Sequence, residues 1–363
     1  MNIHLLIQGL IEIILSLLSG IIIYFTSFKA FDFVTKDIRL NEEIKKNNIA
    51  TSVLVSSFIF GVMLLIRSSI GPSMDTLGFT LSSGNVSLNI LGSVVVRIVI
   101  IYLISAVSAF IFLWIAIKFF MILTTKLDEM KEIKNNNIAV AIIIAVLTIS
   151  LAIIILEPLS TVLKGFVAAP VMMGELNEQM INTRILYQGL IELGISLIAA
   201  IFIFLYGFKV YDAMTKDIDE VEELKSNNIA IAIQVSAFIF SMMILIKASL
   251  LPAYDTLGIV MDQSFTAGLL ILTILRMLAF FVLAAILAFV LLWLAMKWFM
   301  SLNKNINEMQ EIKNNNIAVA IVIAILLIST ALLLHHGLVA FLSGLVPKPE
   351  ISRKFLEMSL LLK

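Results

Sequence analysis

Cysteine is missing from all 363 residues, which removes disulfides, thiol nucleophiles and thiolate metal ligands from consideration. Histidine occurs three times: His335 and His336 are adjacent and diverge by about 100° on a helix, a poor arrangement for sharing a metal, and His4 stands apart. Charged residues are only 14% of the chain and sum to a net charge of zero. A soluble domain carries about 25% charged residues, and a balanced chain has no global attraction for nucleic acid. P-loop, HExxH, GxSxG and Rossmann fingerprints are missing too, as are carboxylate dyads at catalytic spacing. The expectation is a non-enzymatic chain with no cofactor, no metal and no nucleic-acid partner.

What fills the chain instead is apolar sequence, 61% of it, in runs of about twenty residues or more, the length that crosses about 30 Å of hydrocarbon. The fold class expected is all-α, a polytopic protein of the lipid bilayer. The first run, MNIHLLIQGLIEIILSLLSGIIIYF, has no basic n-region and no small-residue cleavage pattern, so it reads as a retained membrane helix.

The chain is a repeat of a repeat. EIKNNNIAVAI stands at 132–142 and again at 311–321, with EIKKNNIATSV at 43–53 and ELKSNNIAIAI at 223–233. The shared isoleucines Ile49, Ile138, Ile229 and Ile317 are 89, 91 and 88 residues apart. A larger copy lies 180 residues on, pairing QGLIEIILSL from Gln8 with QGLIELGISL from Gln188 and PSMDTLG from Pro72 with PAYDTLG from Pro252; the offset then becomes 179. Two halves follow, 1–180 and 181–345, with a tail at 346–363 and a boundary at 170–184. Each half holds two units, and each unit two spans. The eight spans are expected near 4–34, 48–70, 88–120, 138–166, 185–214, 228–251, 268–300 and 317–343.

Two spans per unit put all four motifs on one side of the membrane. The motif-side segments, from Lys29, Lys118, Lys209 and Lys297 to the Asn pairs, hold 5, 4, 3 and 3 basic residues. The positive-inside rule then makes that side cytoplasmic and both termini external. Phe31, Phe120, Tyr211 and Phe299 follow those lysines by two residues, the pattern of snorkelling lysines beside an aromatic belt.

Glu43, Glu132, Glu223 and Glu311 open the motif, and the amide pairs Asn47/Asn48, Asn136/Asn137, Asn227/Asn228 and Asn315/Asn316 precede its closing Ile-Ala. Two readings fit. Asparagine is a preferred N-cap, and a span cannot leave its first amides unpaired in hydrocarbon. Alternatively, four copies around one axis set eight amides at a cytoplasmic mouth, where helix N-termini favour anions. A cap accounts for one Asn per helix and leaves the second unexplained.

At these residues the chain resembles the domain-of-unknown-function 350 family, the YjfL-like bacterial inner-membrane proteins. The resemblance implies pairs of one helical hairpin with Glu, Asn and a following Ala where the second helix begins, and two family-sized pairs in tandem. Asn stands at 47, 136, 227 and 315, where the family often has Gly. The resemblance implies an inner-membrane location and no particular activity. Similar proteins are often encoded beside envelope-stress proteins, which points to a peripheral partner.

Glu12, Arg97, Glu192 and Arg276 interrupt apolar helices, each costing about 2.5–3.5 kcal/mol at mid-bilayer. Their depths suit Glu12–Arg97 and Glu192–Arg276 pairs, or equally the partners swapped across the halves, helped by Gln8 and Gln188, as either a structural clamp or part of an ion path. Arg67 and Lys247 read as interface anchors, and Asp75 and Asp255 as turn residues. Ser105, Ser108 and Ala109, and Ala284, Ala285 and Ala288, allow close helix contact. Two functions are expected from this pattern: a channel or transporter for a small solute or ion, or a membrane scaffold recruiting a peripheral partner. Either leaves room for a homo-oligomer.

Overall fold

The computed structural model describes residues 3–35, 38–82, 87–123, 127–167, 181–215, 219–262, 267–302 and 307–345. Every regular element among them is helical: α1 (Ile3–Val34), α2 (Leu40–Lys45), α3 (Ile49–Arg67), α4 (Ile70–Ser82), α5 (Leu88–Leu123), α6 (Glu129–Lys134), α7 (Ile138–Lys164), α8 (Thr183–Met214), α9 (Glu220–Lys225), α10 (Ile229–Asp262), α11 (Ala267–Leu302), α12 (Glu308–Lys313) and α13 (Ile317–Leu345). Eight spans among the described residues are long and apolar enough to cross a membrane, α3 and α4 together supplying one of them. The boundary segment at 170–184 falls outside the described residues through 180, as does the tail at 346–363.

Each unit is a long outer helix (α1, α5, α8 or α11), a six-residue helix (α2, α6, α9 or α12), and an inner helix (α3, α7, α10 or α13). The short helices are an addition to the expected eight spans. Three of them begin at a polar cap, Asp128, Asp219 or Asn307, whose side chain accepts from the amide three residues on. The outer helices α5 and α11 run 36 residues, about 54 Å at 1.5 Å per residue, and so exceed the hydrocarbon thickness.

The inner helices stand in a row, α3 against α7, α7 against α10, and α10 against α13, with outer helices packed beside them. Burial follows that order. Of the most apolar stretch, 83% is buried in α10 and 28% in α13. A row has two ends, so among the described residues the four units do not enclose an axis, and the ring of eight amides in the alternative reading is not formed.

Close contact uses the small residues expected. Ser105, Ala109, Ala284 and Ala288 are fully buried, and the Ser105 hydroxyl donates to the Leu65 carbonyl across α5 and α3 at 3.0 Å. Gly189 on α8 is tighter still, since a Cβ there would lie 2.4 Å from the Val162 nitrogen of α7.

Two expectations need correction. The PxxDTLG segments are helical, within α4 and the end of α10, with Thr76 and Thr256 hydroxyls donating to the Pro72 and Pro252 carbonyls at 2.8 Å. Pro72 sits in the first turn of α4, where its missing N–H leaves no bond unmade. Phe31, Phe120 and Tyr211 are core residues rather than an interfacial belt: Phe31 meets Phe58 at 5.6 Å and Tyr211 meets Phe238 at 5.8 Å, ring to ring. Lysines 29, 118 and 209 are exposed as expected.

Candidate functional site

The amide pairs occupy one end of the inner row, and their two members do different work. Asn47, Asn136, Asn227 and Asn315 have φ of 60°, 61°, 61° and 61°, the left-handed region that Gly and Asn tolerate best. Each ends its short helix by a double closure: the Asn47 amide donates to the Ile44 carbonyl and the Asn48 amide to the Glu43 carbonyl, both at 3.0 Å, with the same pattern in the other units. This is a Schellman stop, and it accounts for Asn or Gly alike at that position. The second Asn then caps the inner helix, accepting from Thr51, Val140, Ile231 or Val319.

The caps also reach the neighbouring unit. The Asn48 side-chain amide donates to Glu43 Oε2 at 3.0 Å and to the Ile133 carbonyl at 2.9 Å; Asn137 donates to Glu132 at 2.9 Å and to the Leu224 carbonyl at 2.8 Å. Asn228 donates to Glu223 at 2.8 Å and to the Lys313 carbonyl at 3.1 Å. In return Asn136, Asn227 and Asn315 accept from the Ala50, Ala139 and Ala230 amides at 3.0, 3.1 and 3.0 Å. The result is a directional ladder, each unit donating to the next. Asn316 bonds Glu311 at 2.7 Å, and among the described residues no further unit receives it. Lys46 and the Asn48 amide hold the Glu43 carboxyl below the usual carboxylate range.

Three buried acids beside the ladder were not anticipated. Glu129, Glu220 and Glu308 occupy matching positions at the start of α6, α9 and α12, where α2 has Leu40; all four are buried. Burial, with a smaller contribution from the nearby Asp212 charge, pushes Glu220 up to about 7 against the hydrogen bond it accepts from the Thr215 hydroxyl. A carboxyl raised in the fold prefers its proton, so ionisation weakens the folded state as pH climbs from the ordinary carboxylate range through 7. Glu220→Gln is therefore expected to gain thermal stability over the parent as pH rises from 5 to 8, with the gap closing toward pH 5. A difference independent of pH would refute this.

A polar cleft of about 850 Å³ lies at the opposite end, between the end of α7, the start of α8 and the end of α10. Glu157, Thr161, Lys164, Gln188, Glu192, Tyr254 and Asp255 line it. Glu192 is 1% exposed and accepts from the Gln188 amide at 2.8 Å. The Ser196 hydroxyl donates to the Glu192 carbonyl at 2.7 Å and contacts the Tyr254 hydroxyl. Lys247 pairs with Glu157 at 3.1 Å. Gly258 makes room for this group, because a Cβ there would meet Gln188 Nε2 at 3.2 Å.

The expected Glu–Arg pairs are not among the ion pairs of the described residues. Arg276 and Glu12 are exposed, and Arg97 is half-buried, its Nη1 shielded without a hydrogen-bond partner among the described residues. Gln8 lies on α1, its side chain outside the described part. Matching depth, read along single helices, could not show that Glu192 faces α7 and α10. Glu157 was the missed signal: it is a further charge inside an apolar run, beside Pro158, and its partner Lys247 lies inside α10 rather than at its end.

Eight apolar spans, arranged as tandem hairpins of one polarity, make this an integral multi-pass membrane protein. A family model described as Domain of Unknown Function (DUF350) matches residues 5–159 and again 185–338, and the chain belongs to that family, with two family units in tandem. No curated protein and no solved structure matches it.

Proposed function

We propose that the chain is a channel or transporter for a small ion or polar solute, with the cleft around Glu192 as its binding site. The observation behind this reading is Glu192 itself, a carboxylate 1% exposed beside a cleft of about 850 Å³. Ionisable groups within a membrane are expensive and commonly mark substrate paths. With Glu157 and Lys247 paired, the lining Glu192 and Asp255 still outnumber Lys164, which favours a cation. In proteoliposomes, Glu192→Gln is expected to lower cation flux at least tenfold with the protein still folded. Flux no greater than in empty vesicles across several salts and voltages would sink the reading.

The open row favours a second reading, a scaffold for a peripheral protein. Because the motif amides are occupied in the ladder, recruitment would fall to exposed charges such as Arg39, Glu42 and Lys46. Unchanged partners after their replacement would remove it. In either reading we infer a bacterial inner-membrane location, the motif face cytoplasmic and both ends of the chain outside. Single cysteines at Lys46 and Lys164, introduced into this cysteine-free chain, should label from opposite sides.

A further inference from the structure

The ladder and the helix row stop at both ends for want of a neighbour, and the two ends match. At the junction of the halves, Asn137 of α7 donates to the Leu224 carbonyl and the Ala139 amide donates to Asn227. The counterparts of the donors are Asn316 and Ala318 on α13; those of the acceptors are Ile44 and Asn47 beside α3. Among the described residues neither set has a partner in another unit.

The helix faces repeat the pattern. Ala139, Ile143, Ser150 and Ile154 form one buried stripe of α7, whereas Ala318, Val322, Ser329 and Leu333, at the same positions of α13, are exposed. Leu333 is 82% exposed where Ile154 is 1%. On the receiving side, Ser56 and Met63 of α3 are exposed where Ser236 and Met243 of α10 are buried. Gly189 presses on Val162, yet its counterpart Gly9 has nothing within 4 Å, and Phe341, the counterpart of Val162, is exposed. Glu192 is enclosed by α7 and α10; Glu12 lies bare on α1, on a surface that would face lipid.

We propose that the chain assembles head to tail with further copies of itself. In this contact α13 of one protomer packs on α1 and α3 of the next, as α7 packs on α8 and α10 within the chain. A heterologous contact of this kind leaves each protomer with one donating and one receiving face, and closes into a ring when the rotation permits. Both halves share one membrane, so the rotation is about its normal. The contact would cover Glu12, removing a lipid-exposed carboxylate, and would rebuild at each junction a cleft related to that of Glu192.

The test uses two cysteine pairs and a short thiol-specific cross-linker. Ile138→Cys with Lys225→Cys spans the internal junction and should join within one chain. Ile317→Cys with Lys45→Cys, at the equivalent positions, should give dimers and higher species. Internal linkage without any intermolecular product would overturn the proposal, as would a single-protomer mass for the parent protein in lipid nanodiscs at every concentration. Gly9→Leu separates assembly from folding, because a Cβ added at Gly9 meets nothing within 4 Å in the protomer. It should leave protomer unfolding unchanged or slightly more resistant while weakening association at least tenfold; unchanged association would count against the contact.

Discussion

Asn137→Ala is expected to destabilise the detergent-dispersed protomer by about 2–4 kcal/mol. Its side chain caps α7 by accepting from Val140, and its amide is donated to Glu132 and to the Leu224 carbonyl. Loss of a cap costs about 1 kcal/mol, and stranding buried polar partners costs about 1–3 kcal/mol more. Asn316→Ala supplies the comparison, because Asn316 has the cap and Glu311 but no neighbouring unit; it should cost about 1 kcal/mol, the cap alone. Chemical unfolding of the two variants measures the difference. Equal losses would mean that the bonds between units contribute nothing.

Gly189→Ala is the second large effect, and it should act on both stability and flux. The new Cβ would sit 2.4 Å from the nitrogen and 2.8 Å from the Cα of Val162. Those are backbone atoms, so α8 has to move off α7. Overpacking of this kind costs about 1–3 kcal/mol. Because Gln188 and Glu192 lie on the same stretch of α8 and line the cleft, the displacement also disturbs the proposed binding site. Gly9→Ala, the same change at the counterpart with nothing within 4 Å, should leave the protomer neutral or stabilise it by up to about 1 kcal/mol through helix propensity. Equal thermal shifts in the two variants would rule out the close α7–α8 approach as the cause.

The sequence already carried the spans, the repeat and the common side of the motifs, since each depends on composition and spacing along the chain. It carried the cap as well, and the Gly-or-Asn position, without the reason for it. That reason is a backbone angle: Asn47 and its counterparts turn left-handed to stop a helix of only six residues, too short to stand out beside runs of thirty. The cleft was harder to read. Glu192 stands out in the sequence, but an arginine of either half suits it as a partner there, because depth in the membrane does not tell which face of a helix meets which neighbour. Tyr254 and Glu157 reach the same place from two other helices, a convergence that no spacing along one strand of sequence encodes.

The uniform direction of the amide ladder has a consequence for how such chains change in length. Every rung runs from an earlier hairpin to a later one, and every hairpin returns the chain to the face from which it started. The packing beside the ladder alternates, however, with the close α7–α8 approach at Gly189 found only where one half meets the next, so copying or deleting a pair of hairpins would present the next junction with surfaces it already fits. Genes in this lineage could lengthen or shorten by pairs of hairpins without evolving a new interface.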